Sequence, residues 1–368
     1  MYTLKGGKVF INGTFQDLNL KFSDSIIGYD DCDGAIVDVT DKYIVPGFID
    51  LQVNGCGGYL FNSDISEECV NELNNTNIKY GCMGFLPTLI TSPYADIEKA
   101  LNLISKVSNP NVLGIHLEGP FINEIKKGTH NKQHIITLNS QIVDMLVYYA
   151  KKNTILLTLA PECNKDIYIK KLLDAGIKIS IGHSLASYQE AKDAINLGVT
   201  SCTHLYNAMS GYTARNTGII GMSLQHEHVF SGIICDGLHV HYEAIEIAYK
   251  LKNKSLYIVT DSVTPAGTDI KQFTFADKQI TVNEQGMCVD SNGVLSGANI
   301  TMIESIRNLY NYTNIPLEGI ITMATTTPSA VIQNSNIGNL NIGSRSNINI
   351  LDKDLTLLMS YNNGVRVL

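Results

Sequence analysis

The stretch Ile177–Leu205, IKISIGHSLASYQEAKDAINLGVTSCTHL, contains two short apolar runs with a helical pattern between them. The runs Ile177–Ile181 and Ser201–Leu205 have the length and composition of buried strands. Between them, Tyr188–Leu197 carries apolar residues at the roughly 3.6-residue period of a helix. A strand, a helix and a second strand in this order favour a parallel sheet, because parallel neighbours need a crossover connection.

The same alternation extends through the middle of the chain. Eight strand-like runs occur there: Ile44–Leu51, Met83–Leu86, Val112–Leu117, Ile155–Leu159, Ile177–Ile181, Ser201–Leu205, Phe230–Cys235 and Leu256–Thr260. The helical stretches between them include Glu67–Tyr80, Ile97–Val107, Gln141–Ala150 and Ala244–Leu251. Eight such repeats predict an α/β fold of the (β/α)8 TIM-type barrel class. A doubly wound open sheet is the alternative, but Gly6-Gly7 and Gly55–Gly58 lack the GxGxxG spacing and the following helix of a dinucleotide fold.

Both ends of the chain consist of short strand-like runs that could not form a core alone. At the start these are Lys8–Asn12, Thr14–Phe22 and Ala35–Val39, with a turn at Asp30–Gly34, and at the end Asn347–Leu351 and Leu355–Tyr361. We therefore expect one small β-sandwich domain built from residues 1–45 and 335–368, beside a barrel over residues 46–334. Strand alternation after the eighth run predicts a hairpin insertion at about residues 266–298. The last helices are expected over residues 300–312 and 317–332.

Composition excludes several classes of protein. The chain has 368 residues, of which 44% are hydrophobic and 17% charged, so it is not a disordered protein. A net charge of −8 without any basic run argues against nucleic-acid binding, and no apolar stretch is long enough to predict a membrane span. The eight cysteines are dispersed and form no CxxC pair, which is typical of free thiols in a reducing compartment. We therefore predict a cytoplasmic protein.

Polar side chains stand at the carboxyl ends of six of the eight predicted strands. The segments are Asp50–Asn54, His116–Glu118, Gly182–Ser184, Thr203–Asn207, Asp236–His239 and Thr260–Ser262. In barrel enzymes these strand ends meet at one rim, where the active site lies. Each residue alone could be a satisfied core histidine or a capping group. Six segments that share one rim favour an active site.

Glu118, His183 and His204 are the best set of metal ligands at this rim. One carboxylate and two imidazoles suit a borderline divalent cation such as Zn²⁺, with a coordination position left for water. Asp261 would then be placed to act as a general base, although a carboxylate there could instead cap the following loop. His130 lies in a glycine-containing loop that could fold over the site, and the residues alone do not decide its role.

Several uncommon motifs, in order and spacing, resemble one known family. They are Val45–Asp50 (VPGFID), His116–Pro120 (HLEGP), Gly128–Asn131 (GTHN), Leu159–Glu162 (LAPE), Gly182–Ser184 (GHS), Thr203–Met209 (THLYNAM), Asp236–His239 (DGLH) and Val259–Asp261 (VTD). Together they resemble the N-acetylglucosamine-6-phosphate deacetylase family of the amidohydrolase superfamily. The resemblance covers nearly the whole chain. The first motif alone would indicate only an amidohydrolase, and the THLYNAM run narrows the resemblance to the deacetylases.

The resemblance implies hydrolysis of N-acetylglucosamine 6-phosphate to glucosamine 6-phosphate and acetate, in amino-sugar catabolism or recycling. It implies one divalent ion per subunit on Glu118, His183 and His204, with Zn²⁺ as the default and Fe²⁺, Mn²⁺ or Co²⁺ as alternatives. Water on the metal would attack the amide carbonyl, with Asp261 as general base and then general acid and His130 polarising the carbonyl. The implied substrate-binding positions are Thr129, Asn207, Ala208, Arg215, Asp236, Gly237, Leu238, His239, Leu295, Ser296 and Gly297.

Gln52 and Asn54 depart from the wider superfamily. Many amidohydrolases carry His-x-His at the end of the first strand, where it binds a second metal ion. Amide side chains are poor ligands for a borderline cation, so these two residues form a vestigial second-metal position. We therefore predict a single metal ion.

Arg215 is the best candidate for a phosphate contact. The chain has only four arginines, Arg215, Arg307, Arg345 and Arg366, and only Arg215 lies in a loop that follows a barrel strand. A phosphate favours the bidentate guanidinium, and an acidic protein needs such a local positive group. The resemblance further implies a homodimer in which Arg215 reaches the site of the neighbouring subunit.

Other functions remain open at this point. The substrate could be N-acetylgalactosamine 6-phosphate, because epimers differ only in the orientation of one hydroxyl group, or a cyclic amide cleaved by a related amidohydrolase. A non-catalytic barrel that binds sugar phosphates is the alternative from another class. The presence of Asp261 together with all three candidate ligands argues against this alternative.

Overall fold

The structure is a computed structural model that describes residues 1–30 and 34–368. Cys32 therefore lies outside the described residues, as do three of the five residues of the turn predicted at Asp30–Gly34. Seven strands come first: β1 (Tyr2–Lys5), β2 (Lys8–Ile11), β3 (Thr14–Asp17), β4 (Leu20–Phe22), β5 (Ile26–Tyr29), β6 (Ala35–Asp38) and β7 (Tyr43–Pro46). They are divided between two small sheets.

The barrel begins directly after β7. Its eight strands are β8 (Phe48–Val53), β11 (Cys82–Ile90), β12 (Ile115–Glu118), β13 (Ile155–Leu159), β14 (Lys178–Ile181), β15 (Ser201–Cys202), β16 (Phe230–Ile234) and β17 (Leu256–Val259). A short hairpin of β9 (Gly55–Cys56) and β10 (Tyr59–Leu60) lies between the first two of them in the chain. Neighbouring strands pair in parallel from β8 through β11 and onward to β17. A parallel bridge between Val53 and Ser262 closes the ring. The predicted (β/α)8 fold class is confirmed.

Helices surround the strands on the outside. They are α1 (Glu67–Lys79), α2 (Tyr94–Ile104), α3 (Ser140–Ala150), α4 (Asp166–Asp174), α5 (Tyr188–Leu197), α6 (Gly218–Gln225), α7 (Tyr242–Lys252), α8 (Met302–Tyr312), α9 (Leu317–Ala324) and α10 (Thr326–Val331). The single helix expected over 317–332 is wrong, because Thr325 leaves the helical region at φ −135° and ψ −78° and separates α9 from α10. No helix in the described part of the chain is long and apolar enough to cross a membrane.

The first predicted run, Ile44–Leu51, belongs to two different sheets. Gly47 separates β7 from β8, and its N–H donates to the carbonyl of Asn347 in the C-terminal segment at 2.8 Å. The N–H of Phe48 donates instead to Gly81, beside the barrel strand β11, at 2.9 Å. Both halves of the run are apolar because both are buried, so hydrophobicity alone could not locate the change of sheet.

The insertion after the barrel contains three strands rather than a simple hairpin. It consists of β18 (Gln272–Phe275), β19 (Lys278–Val282) and β20 (Cys288–Val289), which pair antiparallel in this order. Its apolar face, with Phe275 and Ile280, packs with Leu60 and Ile90 at the carboxyl end of the barrel. The insertion therefore covers part of the rim where the candidate site lies.

The last strands join the first ones in a small β-sandwich. After β21 (Ile348–Leu351), β22 (Leu357–Asn362) and β23 (Val365–Arg366), one sheet has the order β23-β22-β21-β7-β2-β3 and the other β5-β4-β1-β6. Leu4 and Phe22 of one sheet share a core with Ile44, Ile350 and Tyr361 of the other. The domain bounds 1–45 plus 335–368 and 46–334 stay a prediction.

Candidate metal and active site

One carboxylate oxygen and two imidazole nitrogens meet at the carboxyl end of the barrel. Oε1 of Glu118 lies 3.1 Å from Nε2 of His183 and 2.9 Å from Nε2 of His204. The two nitrogens are 3.1 Å apart. All three side chains are almost fully buried, with residue exposures of 2%, 6% and 4%. These residues are far apart in the sequence, and they meet because the parallel strands that carry them end at the same rim of the barrel.

Backbone strain accompanies the residues that follow the strands. His183, His204 and Asp261 follow β14, β15 and β17, and their φ angles are 47°, 30° and 51°. This left-handed region costs a residue with a side chain on the order of 1–3 kcal/mol and is enriched at active sites. Three such residues at the ends of β14, β15 and β17 support a functional site at this rim.

The tautomer of His183 follows from its hydrogen bond to the backbone. Nδ1 lies 2.7 Å from the carbonyl oxygen of Lys126, and a carbonyl can only accept, so Nδ1 carries the proton. In the neutral imidazole, Nε2 then has a free lone pair that faces Glu118. A ligating histidine is usually oriented in this way, by donating its other ring N–H to a carbonyl or carboxylate.

The donor set fits a divalent cation. Nε2 of His183 and Oε1 of Glu118 lie 3.1 Å apart, and when the imidazole is neutral the facing lone pairs need a positive charge between or beside them. One carboxylate and two neutral imidazoles are the ligand types that Zn²⁺ and similar ions prefer.

Gln52 and Asn54 interact with the carboxylates at the site. Nε2 of Gln52 donates to Oε1 of Glu118 at 3.1 Å and to Oδ1 of Asp261 at 3.0 Å. Nδ2 of Asn54 donates to the same oxygen of Asp261 at 2.6 Å. Burial, together with the charge of Glu118, raises the pKa of Asp261 to about 6. The carboxylate that could move a proton is therefore oriented by two neutral amides.

His130 lies beside His183, with the ring centroids 4.3 Å apart. Donor atoms of Glu118, His130 and His183 lie within 4.8 Å of one another, so His130 is a further group at the same centre. Its Nδ1 is 2.8 Å from the hydroxyl of Thr91, and burial lowers its pKa well below the usual value. The hydroxyl of Thr91 also lies close to the backbone of Gly119. A Cβ at position 119 would lie 2.4 Å from this hydroxyl, so the position requires glycine.

A cavity of about 340 Å³ opens above these groups. The predicted site residues that line it are Asn54, Glu118, Thr129, His130, His183, His204, Asn207, Ala208, His239, Asp261, Leu295 and Gly297. Ser296 is buried next to it and donates its hydroxyl to that of Thr129 at 3.0 Å, which joins the insertion to the loop that carries His130. Phe275 of the insertion also lines the cavity.

The predicted residues from the β16 loop divide into two groups. His239 lines the cavity, and its Nδ1 lies 2.6 Å from Oδ2 of Asp236. Burial alone would raise the pKa of Asp236, but hydrogen bonds from His239 and the backbone lower it. Asp236 therefore holds His239 in place, whereas Gly237 and the half-exposed Leu238 are not among the lining residues.

Arg215 does not line the cavity of its own chain. It lies in an exposed turn that is closed by the N–H of Thr213, which donates to the carbonyl of Asn216 at 2.7 Å. Lys126 is the one lysine or arginine among the described residues that line the cavity. A phosphate contact from Arg215 would therefore have to come from another subunit or from a movement of this loop.

Two polar groups that hold the histidines of the site were not predicted from the sequence, the hydroxyl of Thr91 and the backbone carbonyl of Lys126. Thr91 was missed because the second predicted strand ended at Leu86, whereas β11 continues to Ile90 and Thr91 follows its end. The Lys126 contribution is a backbone carbonyl, which every residue has, so no sequence signal could have identified it.

The barrel with its Glu–His–His cluster defines a class of hydrolases, and the comparisons agree with it. Residues 43–367 match the amidohydrolase family, and this chain belongs to that family. Within the family it resembles the N-acetylglucosamine-6-phosphate deacetylases. The deacetylase of that name from Haemophilus influenzae is 37% identical over 335 residues, which cover 89% of this chain and 87% of the relative.

Two further relatives extend this result. The crystal structure of N-acetylglucosamine-6-phosphate deacetylase from Pasteurella multocida superposes with a TM-score of 0.94, at 35% identity over 99% of both chains. An N-acetylgalactosamine-6-phosphate deacetylase from a Shewanella strain is 33% identical over 332 residues, covering 89% of this chain and 83% of the relative. The fold and the family are thus shown together.

Proposed function

We propose that this chain hydrolyses the N-acetyl group of N-acetylglucosamine 6-phosphate to give glucosamine 6-phosphate and acetate. The observation that carries the proposal is the convergence of Glu118 Oε1 with the Nε2 atoms of His183 and His204 beside Asp261, at the base of a cavity in an amidohydrolase barrel. The similarity to the Haemophilus influenzae and Pasteurella multocida deacetylases supports the substrate class.

Glu118, His183 and His204 would hold one divalent cation, with Zn²⁺ as the default. A bound cation of this kind lowers the pKa of water and polarises a carbonyl oxygen. Asp261 accepts a proton from the attacking water and later gives it to the amide nitrogen, because an amine leaves only once it is protonated. Burial and the charge of Glu118 raise the pKa of Asp261 to about 6 in the metal-free chain, and a cation beside it would favour the ionised form that accepts the first proton.

His130 would stabilise the negative charge that develops on the amide oxygen. A neutral imidazole held by Thr91 can donate one N–H toward the cavity without a change of its own charge. Asn207, Ala208 and His239 line the cavity and would contact the sugar phosphate. We further propose a homodimer, with Arg215 completing the phosphate site of the neighbouring subunit, and a cytoplasmic location.

Acetate release tests the function directly. The purified protein is incubated with N-acetylglucosamine 6-phosphate, with N-acetylgalactosamine 6-phosphate and with unphosphorylated N-acetylglucosamine, each with and without a chelator. We expect chelator-sensitive acetate release from a phosphorylated sugar and much slower release from the unphosphorylated one. If neither phosphorylated sugar releases acetate after Zn²⁺ is restored, the proposal is wrong.

N-acetylgalactosamine 6-phosphate is the second candidate substrate. The observation in its favour is the 33% identity with the Shewanella deacetylase that is named for this epimer. The ratio of kcat/KM for the two phosphorylated sugars decides between them, and we expect the glucosamine epimer to be preferred. A non-catalytic sugar-phosphate-binding barrel would instead bind these compounds without releasing acetate.

A further inference from the structure

Glu162 is a carboxylate near the site that the proposed chemistry does not use. It follows β13 in a single 3-10 turn, Pro161–Cys163, and is half-buried. Its Oε1 accepts from Nδ2 of Asn123 at 3.0 Å and from the N–H of Leu185 at 2.7 Å, and its Oε2 accepts from the hydroxyl of Ser184 at 2.6 Å. One carboxylate thus joins the loops that follow β12 and β14.

The first connection runs through the chain next to His183. Ser184 and Leu185 come directly after His183, which has the strained φ of 47°. The N–H of Ser184 donates to the carbonyl of Ala208 at 3.2 Å, and its hydroxyl is held by Glu162. The carboxylate therefore secures the backbone on the C-terminal side of His183, where strain would otherwise favour relaxation of the loop.

The second connection runs through Asn123 to the imidazole ring of His183. The backbone N–H of Asn123 donates to the carbonyl of His183 at 2.9 Å, and its Oδ1 accepts from the N–H of Ile125 at 3.0 Å. This cap begins the 3-10 turn Glu124–Lys126. The carbonyl of Lys126, at the end of that turn, accepts the Nδ1 proton of His183 at 2.7 Å.

We propose that Glu162 is a positioning residue for His183 that fixes both its backbone and its tautomer. The two connections begin at one carboxylate and end on the same histidine, one on its main chain and one on its ring. Through them Glu162 keeps Nδ1 protonated and Nε2 free to bind the cation. The metal-affinity part of this inference rests on the proposed function, whereas the tautomer part concerns the chain alone.

Two substitutions of Glu162 separate geometry from charge. Glu162→Ala removes all three hydrogen bonds. Glu162→Gln keeps an acceptor oxygen for Asn123 and Leu185, and its amide can donate to the Ser184 hydroxyl, so the conservative variant should restore the arrangement. A matched control is Glu190→Ala, because Oε2 of Glu190 also accepts a backbone N–H in the same loop, from Ser187 at 2.8 Å, but has no connection to residues 121–127.

The variants are compared by three measurements. Zn²⁺ affinity of the metal-free protein is measured by competition with a chromogenic chelator, and thermal unfolding of the metal-free protein reports stability. The ¹⁵N shifts of the His183 ring, assigned with His183→Gln, report its tautomer. We expect Glu162→Ala to weaken Zn²⁺ binding about 10- to 100-fold and to lose the protonated Nδ1 that the Lys126 carbonyl holds in wild type. Glu162→Gln and Glu190→Ala should keep both properties, although Glu190→Ala loses thermal stability.

The inference is wrong if Glu162→Ala keeps the wild-type tautomer of His183 and the wild-type Zn²⁺ affinity. It is also wrong if Glu190→Ala loses these two properties to the same extent as Glu162→Ala. If Glu162→Ala does not fold, Asn123→Ala removes the second connection alone and should still produce a mixture of tautomers. Equal Zn²⁺ affinity in wild type and His183→Gln would contradict the proposed metal site instead. The tautomer of the metal-free protein would still decide the role of Glu162.

Discussion

At the residue scale, Gln52 explains how the carboxylates of Glu118 and Asp261 can lie close together. Its single amide group donates to both Glu118 and Asp261, and Asn54 adds a second donor to Asp261. The two hydrogens of the neutral Gln52 amide partly compensate the negative charges of the two carboxylates. Neither Gln52 nor Asn54 offers an imidazole or thiolate ligand to a borderline cation.

Metal analysis of the purified protein should therefore find about one divalent ion per chain. The measurement is elemental analysis after dialysis against a metal-buffered solution. The control is His204→Ala, which removes one proposed ligand and should lose most of the bound ion. Two ions per chain would contradict the interpretation of Gln52 and Asn54.

Replacement of Asp261 by asparagine should abolish proton transfer while it leaves the cation site intact. We expect kcat for acetate release to fall by roughly 10²–10⁴-fold, since general acid–base groups typically contribute that much. The bound metal should remain, because Asp261 is not among the proposed ligands. Near-normal turnover with a normal metal content would show that another group moves the proton.

At the element scale, a buried carboxylate joins the first and last strands of the barrel. Asp50 lies on β8, and its carboxyl group accepts from the hydroxyl of Thr260, just after β17. The N–H of Gln52 donates to the same group at 3.1 Å. Burial raises the pKa of Asp50 from 3.8 to about 7, so the fold favours the protonated form.

The raised pKa of Asp50 predicts a pH dependence of stability with a definite sign. Between about pH 4 and 7 the folded state binds a proton that the unfolded chain has released, so the Asp50 contribution is greatest at low pH and is lost as the pH rises through 7. The free energy of unfolding of wild type, relative to Asp50→Asn, should fall by a few kcal/mol over this range.

Urea unfolding of both proteins at several pH values measures this difference. The control is Asp38→Asn, because hydrogen bonds from Thr40 lower the pKa of the exposed Asp38 and give a slope of opposite sign. A pH-independent difference between wild type and Asp50→Asn would show that Asp50 is ionised in the folded protein.

At the scale of the whole molecule, the two ends of the chain meet in one sandwich beside the barrel. β21 pairs antiparallel with β7, and Asn347 and Asn349 donate side-chain N–H groups to the carbonyls of Met83 and Gly81 on the barrel side. The seven cysteines that the structure describes are all unpaired, so hydrogen bonds and apolar packing hold this arrangement. The site itself opens at the other end of the barrel strands, and the exposed loop that carries Arg215 follows Asn207 and Ala208, which line the cavity.

If Arg215 completes the site of a partner subunit, two inactive variants should complement each other. Arg215→Ala loses the phosphate contact, and Asp261→Asn loses proton transfer. In a mixed dimer, the subunit with intact Asp261 receives Arg215 from its partner, so one site is complete. Random mixing should restore roughly a quarter of wild-type activity.

Activity at low concentration of the phosphorylated sugar measures this recovery, after the two proteins are unfolded and refolded together. The control is the same pair mixed without subunit exchange, which should stay inactive. No recovery in refolded dimers would show that Arg215 acts within its own chain or not at all.

Much of the fold could be predicted because burial leaves a periodic pattern. The strands β13 and β14 were found to within a residue, since each is a short, mainly apolar run that ends at a proline- or glycine-containing segment. The transition at Gly47 was not found, because apolar residues continue across it. The break at Thr325 was not found either, although three threonines and Pro328 stand at that point. The hydrophobic pattern of the sequence indicates which residues are buried, but it does not indicate which sheet or helix each buried residue packs against.

The sequence by itself determined the class of fold, the family resemblance and the identity of the chemical groups at the rim. Glu118, His183, His204 and Asp261 could be selected because parallel strands place their carboxyl ends together. Only the tertiary structure decided which atoms face one another. The tautomer of His183 depends on the Lys126 carbonyl, and the orientation of that carbonyl traces back through Asn123 to Glu162. Such contacts depend on loop conformations, which hydrogen bonds between distant segments set and periodicity does not encode.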